Sequence, residues 1–490
     1  MPLPPRRPLA LLAAALALAV APAQAQSLLQ LYDAAHGYDA ATQSALANAQ
    51  ASQARADQAR AGLLPQIGLQ AGAQHNWADV NVAGHSSSRS FNVLNGSIVG
   101  SQPLYRPANR IGWDQGRKQA ELALVQLGST EQDLIVRLSQ AYFDVLAAED
   151  SLRFVRALKA AVAEQLEFAR RNFEVGNATI TDSREAQARF DLATAQEIAA
   201  ENDLRVKKLA LDQLVGQVGT QPRPLAEPIV LPAPQPGDVQ AWVSQATEQH
   251  PAVVQGRMAL DIARMETEKA KAGHLPTVDL QASIGQSRYP DGNPSASAAP
   301  SARYRSTNAG VGVVLNWPLF AGYAIENRVR ETLALQDKAR ADLDNVERSV
   351  AQATRAAFFG VQSGLGQVRA LEAAEASSLT ALQANQLGYQ VGVRINIDVL
   401  NAQSQLFQTR RDLARARYDV LVGLLRLKQA SGTLQPADLQ PINQLLLSEA
   451  PTRAVEVSPL PPQSSTPAAS GSAPLGSGMP PMRPSRPDRR

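Results

Sequence analysis

A stretch of twelve residues that occurs twice constrains this chain more than any other feature. The first copy spans Arg171 to Asp182, and the second lies 216 residues later, from Leu387 to Asp398. Both contain an aromatic residue, a Val-Gly pair and a final aspartate, so that Gly176 corresponds to Gly392. A glycine permits the left-handed backbone that ends a helix, and an acidic residue favours the first turn of the next helix. The chain is therefore predicted to be a tandem duplication of one helical unit.

Each copy contains the same predicted elements in the same order. In the first copy these are a helix at 26–62, strands at 66–77 and 90–103 joined by a polar loop at 81–89, a helix at 104–173, and a helix at 182–216. In the second copy these are a helix at 239–273, strands at 278–285 and 309–317 joined by a loop at 290–301, a long helix that ends at Tyr389, and a helix at 398–432. The helices rest on apolar periodicity and the scarcity of proline, and the strands on alternation of apolar and polar residues.

The long helices show apolar residues at heptad spacing, which predicts seams between packed helices. One seam runs from Leu134 to Val155 and the other from Leu343 to Ala357. Three aromatic residues on these helices are interpreted as core residues: Tyr142, Phe143 and Phe358.

The ends of the chain differ in composition from its body. Two arginines precede an apolar run at 9–20, and an Ala-Gln-Ala sequence ends at residue 25, so residues 1–25 are predicted to be a secretory signal peptide. The run is too short for a membrane anchor. We expect a first repeat at 26–220, a Pro-rich linker at 221–238 and a second repeat at 239–435. Residues 436–490 form an extension, which is rich in Pro, Ser, Gly and Arg and is expected to be disordered from about residue 450.

Composition excludes several classes of function. The 490 residues include no cysteine, so an exported chain has no disulfide, no cysteine-bound metal and no acylated N-terminal cysteine. A formal charge of +3 gives no reason to expect a nucleic-acid partner. The five histidines are scattered, no Gly-rich loop links a strand to a helix, and no Ser/His/Asp set is apparent. We predict no enzyme, no cofactor and no metal site.

The lengths of the predicted helices point to an architecture. The two shorter helices of a copy together equal its helix of about 70 residues, so each copy can form two columns of equal height, about 100 Å long. The four strands each have one apolar and one polar face, which is typical of outer-membrane barrels. Four strands are too few to close a barrel and would leave open edges in lipid, so protomers are expected to share one. The alternative is a soluble sheet packed on helices.

These features resemble the TolC family of outer-membrane exit ducts over nearly all of residues 27–440. The motifs are Leu-Pro strand starts at 64 and 275, Pro-Leu-aromatic helix starts at 103 and 318, and the doubled turn. The resemblance implies a mainly α-helical fold with a β-barrel portion. It implies a homotrimer with a 12-stranded barrel in outer-membrane lipid and a 12-helix tunnel in the periplasm. Its expected partners are an inner-membrane transporter, ABC-type or proton-driven, and a periplasmic adaptor.

The resemblance also assigns candidate residues at the closed end of the tunnel. Tyr389 and Arg394 match the family's gate residues, and Thr181 and Asp182 match their partners on the first turn. Asp398 matches the first acidic ring of the pore constriction, but Asn401 replaces the acidic residue of the second ring. An alternative role for Asp398 is a simple helix N-cap.

The preferred function is therefore an exit duct for type I protein secretion, with a secreted polypeptide as cargo. A small-molecule efflux channel is the first alternative, although the absence of an acylation cysteine disfavours the lipoprotein branch of such channels. A periplasmic coiled-coil adaptor or scaffold is an alternative of another class, but adaptors lack four strands of the membrane type.

Overall fold

A computed structural model describes residues 25–82, 85–176, 179–292 and 302–446. The predicted cleavable segment up to residue 24 and the tail beyond residue 446 lie outside the described residues. The described elements are α1 (Leu28–Tyr38), α2 (Ala40–Arg60), β1 (Gln66–Val82), β2 (His85–Tyr105), α3 (Pro107–Glu174), α4 (Ile180–Val215), α5 (Val239–Gln249), α6 (Pro251–Lys271), β3 (Thr277–Tyr289), β4 (Tyr304–Asn316), α7 (Ala324–Gln390), α8 (Asn396–Ala430) and α9 (Leu439–Gln444). Three-residue 3-10 turns follow α2 and α6 and precede α9.

Two very long helices carry the body of the molecule. Helix α3 has 68 residues and α7 has 67, which at 1.5 Å per residue gives about 100 Å each. Proline occurs in α3 only at its first position, where its missing N–H costs no hydrogen bond. Helix α3 packs along α2, α4, α6 and α8, and α7 packs along α5, α6 and α8. The predicted pairing of one long helix with two shorter ones in each copy is confirmed.

The single helix predicted at the start of the first copy is wrong, because Asp39 divides it into α1 and α2. Its carboxylate accepts hydrogen bonds from the backbone N of Thr42 at 2.9 Å and from its Oγ1 at 2.8 Å, and so caps α2. Arg137 of α3 donates to the same carboxylate, with 3.2 Å between Nη2 and Oδ2. Together these partners lower the pKa of Asp39 against the opposing effect of burial.

The second copy repeats this break at His250, where one continuous helix was also predicted. Pro251 follows and disfavours helical backbone at the residue before it. The Nδ1 atom of His250 accepts a hydrogen bond from the backbone N of Ala252 at 3.1 Å. In both copies a glycine at the end of the opposite helix packs on the break. A Cβ at Gly216 would lie 2.5 Å from the Tyr38 ring, and one at Gly432 would lie 2.5 Å from Cα of His250.

The four strands form one antiparallel sheet in the order β1-β2-β3-β4. Strands β3 and β4 have 13 residues each, close to the predicted length, whereas β1 has 17 and β2 has 21. The polar loop predicted at 81–89 is wrong, because the register pairs Val82 with His85 and continues without interruption. Its polar composition resembled a loop, but backbone pairing extends the two strands as far as Val82 and His85. Most of the loop predicted at 290–301 lies outside the described residues.

The sheet exposes apolar side chains on one face. Directly opposed residues share a face, and one row across all four strands contains Leu69, Ile98, Ile284 and Ala309. Leu69 is 78% exposed in the single chain. The outer edges of β1 and β4 have no strand partner among the described residues. Across the same residues, no helix combines the length and hydropathy needed to cross a membrane.

The main core lies midway along the helices. Tyr142 and Phe143 are buried on α3, and the Phe143 ring stacks on Tyr418 of α8 with centroids 5.6 Å apart. The Pro-rich linker joins this core, since the backbone N of Arg223 donates to the Tyr142 hydroxyl at 2.8 Å. Phe358 is also buried, in a separate cluster with Trp242. The interpretation of the three aromatic residues as core is confirmed.

The heptad seams are only partly confirmed. In the first copy Leu134, Leu138 and Val145 are fully buried. In the second copy Ala353 is exposed, and its neighbour Thr354 is buried instead. A straight α-helix drifts from a strict seven-residue repeat, so the buried stripe moves by one position along α7.

Candidate functional site

The first turn, between α3 and α4, is secured within itself. Gly176 has φ of +80°, as the doubled motif predicts. Thr179 caps α4: its Oγ1 accepts from the backbone N of Asp182 at 3.3 Å. The Asp182 carboxylate accepts in return from the Thr179 backbone N at 3.0 Å and from its Oγ1 at 2.9 Å. This reciprocal capping box satisfies groups that the start of a helix otherwise leaves unpaired.

The second turn, between α7 and α8, has the same left-handed glycine and different contacts. Gly392 has φ of +79°. The residue before α8 is Ile395, which has no side-chain cap. Asp398 lies in the first turn of α8 and forms an ion pair with Arg394, with 3.6 Å between Oδ2 and Nη1. The alternative that Asp398 acts as the N-cap is therefore wrong. The Arg394 stem lies across Gly388, where a Cβ would come within 2.7 Å of its Cγ.

Tyr389 of the second copy lies against the first copy. Its ring meets Phe168 of α3 edge to face, with centroids 5.8 Å apart. Burial raises the pKa of the Tyr389 hydroxyl, a hydrogen bond with the Asn172 side chain lowers it, and the negative charge of Asp182 raises it further. The structure thus packs Tyr389 against Phe168, near the end of α3 in the first copy. That this proximity holds a gate closed stays a prediction.

The other two gate candidates have no contact with each other within one chain. Thr181 is exposed, and in the described part of the chain its side chain makes no hydrogen bond. Arg394 pairs with Asp398 of its own turn rather than with Asp182. The predicted link between Arg394 and the first turn therefore stays a prediction.

Asn401 has a partner that was not predicted from sequence. Its Oδ1 accepts a hydrogen bond from Nη2 of Arg189, on α4 of the first copy, at 2.8 Å. Where the resemblance places a second acidic ring, the chain therefore has a neutral amide held by a cation. Each of the two predicted constriction positions thus has one arginine partner, Arg394 at Asp398 and Arg189 at Asn401.

Asn396 was also missed, although it joins the two turns. It is fully buried at the start of α8 and donates from Nδ2 to the backbone O of Asp182 at 3.3 Å. Its Oδ1 accepts from Nε2 of Gln165 on α3. The duplicated register contained a signal for it, because Asn396 stands where the first copy has the apolar Ile180.

The site is made of groups that form reversible contacts. Its groups are carboxylates, guanidinium groups, amides and one phenol, joined by charge-assisted and neutral hydrogen bonds. Such links between mostly exposed groups are individually weak, so they can be broken by a partner that binds nearby. Among the described residues, no group of three or more His, Asp or Glu is placed to hold a metal ion.

Comparisons with known proteins identify the family and the fold of the chain. A family model described as outer membrane efflux protein matches residues 31–217 and 242–433. The chain is 34% identical over 419 residues to outer membrane protein TolC of Vibrio cholerae. This alignment covers 86% of this chain and 93% of the Vibrio protein. It is 31% identical over 437 residues to the alkaline protease secretion protein AprF of Pseudomonas aeruginosa. That alignment covers 88% of this chain and 89% of AprF. The crystal structure of the outer membrane protein VceC of Vibrio cholerae superposes on 83% of this chain and 96% of the VceC chain. The TM-score is 0.71 at 18% sequence identity, which shows a shared fold.

Proposed function

This chain belongs to the outer membrane efflux protein family, and we propose that three copies of it form one continuous exit duct. The observation that carries the proposal is the four-stranded sheet, which has an exposed apolar face and two open edges. Open edges are not tolerated in lipid, and three such sheets would supply twelve strands, enough to close a barrel. The helices of about 100 Å would continue the duct into the periplasm.

The cargo that we propose is a polypeptide secreted by a type I system. The support is the similarity to AprF, whose name describes it as a protease secretion protein, over 88% of this chain. The partners in this proposal are an inner-membrane ABC-type transporter and its periplasmic adaptor. Small-molecule efflux is the second candidate, because the matching family model is described by efflux. The adaptor or scaffold alternative is wrong, since the family is one of outer-membrane proteins.

The secreted-protein profile of cells with and without this chain tests the cargo. Loss of one or a few large polypeptides from the medium is the expected result for a type I duct. An unchanged profile, together with increased sensitivity of the cells without this chain to small toxic compounds, would show that the duct carries small molecules instead of a polypeptide.

We further propose that the two turns form the gate at the periplasmic end. Tyr389 on Phe168 gives one contact between the copies, and Arg394 forms an exposed surface ion pair that another carboxylate could replace. Asp398 and Asn401 then line the constriction. Asp182→Ala and Arg394→Ser should each raise conductance in planar bilayers because they remove links of the closed state. Unchanged conductance in both variants would count against the gate.

A further inference from the structure

Two arginines lie directly opposite each other on the apolar face of the sheet. The register pairs Arg288 of β3 with Arg305 of β4, and both side chains are exposed. Toward the helices the same face continues with the polar pair Gln286 and Thr307. Three apolar pairs follow: Ile284 with Ala309, Ala282 with Val311, and Leu280 with Val313. Directly opposed residues of antiparallel strands have Cβ atoms about 5 Å apart, and like charges there destabilise the pair. An anion between them would remove that cost.

The hairpin that carries the two arginines supplies no such anion. Its acidic residue near the tip, Asp291, accepts from the backbone N of Asn92 at 3.1 Å and from its Nδ2 at 2.7 Å. In the described part of the chain neither Arg288 nor Arg305 forms an ion pair with a carboxylate. The connecting residues 293–301, which lie outside the described part, include no Asp or Glu.

One of the two guanidinium groups is already oriented. Nε of Arg288 donates to Oε1 of Gln286 at 2.9 Å. Gln286 is held in turn across the strands, because its Nε2 donates to Oγ1 of Thr307 at 3.4 Å. This arrangement leaves the two terminal nitrogens of Arg288 for another acceptor. Two donors in a planar fork suit the oxygens of a phosphate group.

The height of the pair along the sheet identifies where that phosphate would lie. Val278 lies at the end of β3 that is nearest the helices, and Arg288 is ten residues further along the strand. Ten residues of an antiparallel strand span about 34 Å. With the tilt of about 40° usual in outer-membrane barrels this becomes about 26 Å, close to the apolar band of about 25 Å. The arginines thus lie at the far border of the band, at the outer leaflet.

The first hairpin gives an independent marker of the same height. Aligning the two Leu-Pro strand starts places Trp77 at the position of Arg288. In the first hairpin Trp77 pairs with Ser90, as Arg288 pairs with Arg305 in the second. Tryptophan is enriched at membrane–water interfaces. The same border is therefore occupied by an interfacial aromatic residue in one hairpin and by two cations in the other.

We propose that Arg288 and Arg305 bind the phosphate groups of lipid A, the phosphorylated glycolipid of the outer leaflet. The inference rests on the proposed function, because this face meets lipid only in the assembled barrel. Each trimer would carry three such sites, one for each protomer. The phosphate lies between the two guanidinium groups and relieves their repulsion, while the acyl chains of the lipid cover the apolar rows below.

The test uses the purified full-length protein in detergent, titrated with bisphosphorylated lipid A and followed by native mass spectrometry. Arg288→Gln combined with Arg305→Gln should weaken binding at least about tenfold, because it removes the charge-assisted hydrogen bonds. The matched control, Arg340→Gln with Arg348→Gln on α7, removes the same charge from the helical body and should retain the wild-type affinity. Lipid A stripped of its phosphates should bind the wild-type protein as weakly as bisphosphorylated lipid A binds the double variant.

Equal affinity of the double variant and the wild-type protein would overturn the site. Equal binding of the stripped lipid by the wild-type protein would also overturn it, since the acyl chains alone would then account for retention. Saturable binding of inorganic phosphate with no preference for the lipid would overturn the choice of ligand. Trimer mobility and bilayer conductance, measured on the same samples, show separately whether the duct itself has formed.

Discussion

The two turns at the ends of the long helices share a left-handed glycine and differ in their side-chain contacts. Gly176 and Gly392 have φ of +80° and +79°. Thr179 and Asp182 close the first turn on itself through a capping box. The second turn has no side-chain cap, and its aspartate pairs only with an exposed arginine.

This difference assigns unequal roles to two copies of one motif. A capping box holds both of its side chains in one place, so the start of α4 is fixed. An exposed ion pair contributes at most about 1 kcal/mol, so Arg394 and Asp398 can exchange partners at little cost. We infer that opening changes the second turn more than the first. Four substitutions test this comparison.

The largest effect is expected from Asn396→Ala, which removes the buried amide between the turns. The backbone O of Asp182 and the side chain of Gln165 then lose a partner, and a buried unsatisfied polar group costs about 1–3 kcal/mol. Amide hydrogen exchange at the starts of α4 and α8 should accelerate together. Ser404→Ala, also on α8, is the control, because its hydroxyl bonds only to its own helix at Leu400. Acceleration in α8 alone would show that Asn396 does not couple the turns.

Thr179→Ala should reduce the difference between the turns by weakening the first. Loss of this N-cap is expected to cost about 1 kcal/mol and to speed hydrogen exchange in the first turn of α4. Thr181→Ala is the matched control, since that threonine is exposed and should matter little for local stability. If the two variants exchange alike, the capping box does not secure the turn.

Ile395→Thr should reduce the difference between the two turns by strengthening the second turn. It places a threonine three residues before Asp398, as Thr179 stands three residues before Asp182. The new capping box should slow exchange at the start of α8 by about fivefold, which corresponds to about 1 kcal/mol. It should also draw Asp398 away from Arg394. Ile395→Val is the control, and equal exchange in both variants would mean that the turn cannot adopt the cap.

Arg189→Gln is expected to give the smallest effect, a shift of ion selectivity with no loss of stability. It removes a cation beside Asn401 while keeping a side chain that can donate to it. The reversal potential in a salt gradient should move toward cation preference by a few millivolts, because salt screens exposed charges strongly. Arg184→Gln, an exposed residue of the same helix, is the control. An equal shift of the reversal potential in both variants would show that Arg189 does not act at the proposed constriction.

The elements that depend on local chemistry could be predicted closely. Helix α3 was expected to end near Phe173 and ends at Glu174, and α7 was expected to end at Tyr389 and ends at Gln390. The candidate site was less predictable. Its residues were assigned by resemblance, but the partners of Asn401 and Asp398 were not foreseen. Asn396 was missed because nothing in its own neighbourhood marks a residue as buried between two copies.

The sequence by itself determined the duplication, the long helices and the two faces of the sheet. These follow from glycine backbone freedom, apolar periodicity and alternation, which act between residues a few positions apart. The tertiary structure alone decided which distant groups secure each helix break and each turn. Arg137 on Asp39, Gly216 on Tyr38 and Arg189 on Asn401 each join residues about 100 to more than 200 positions apart. Local patterns carry no record of such contacts, because they arise only when the columns pack.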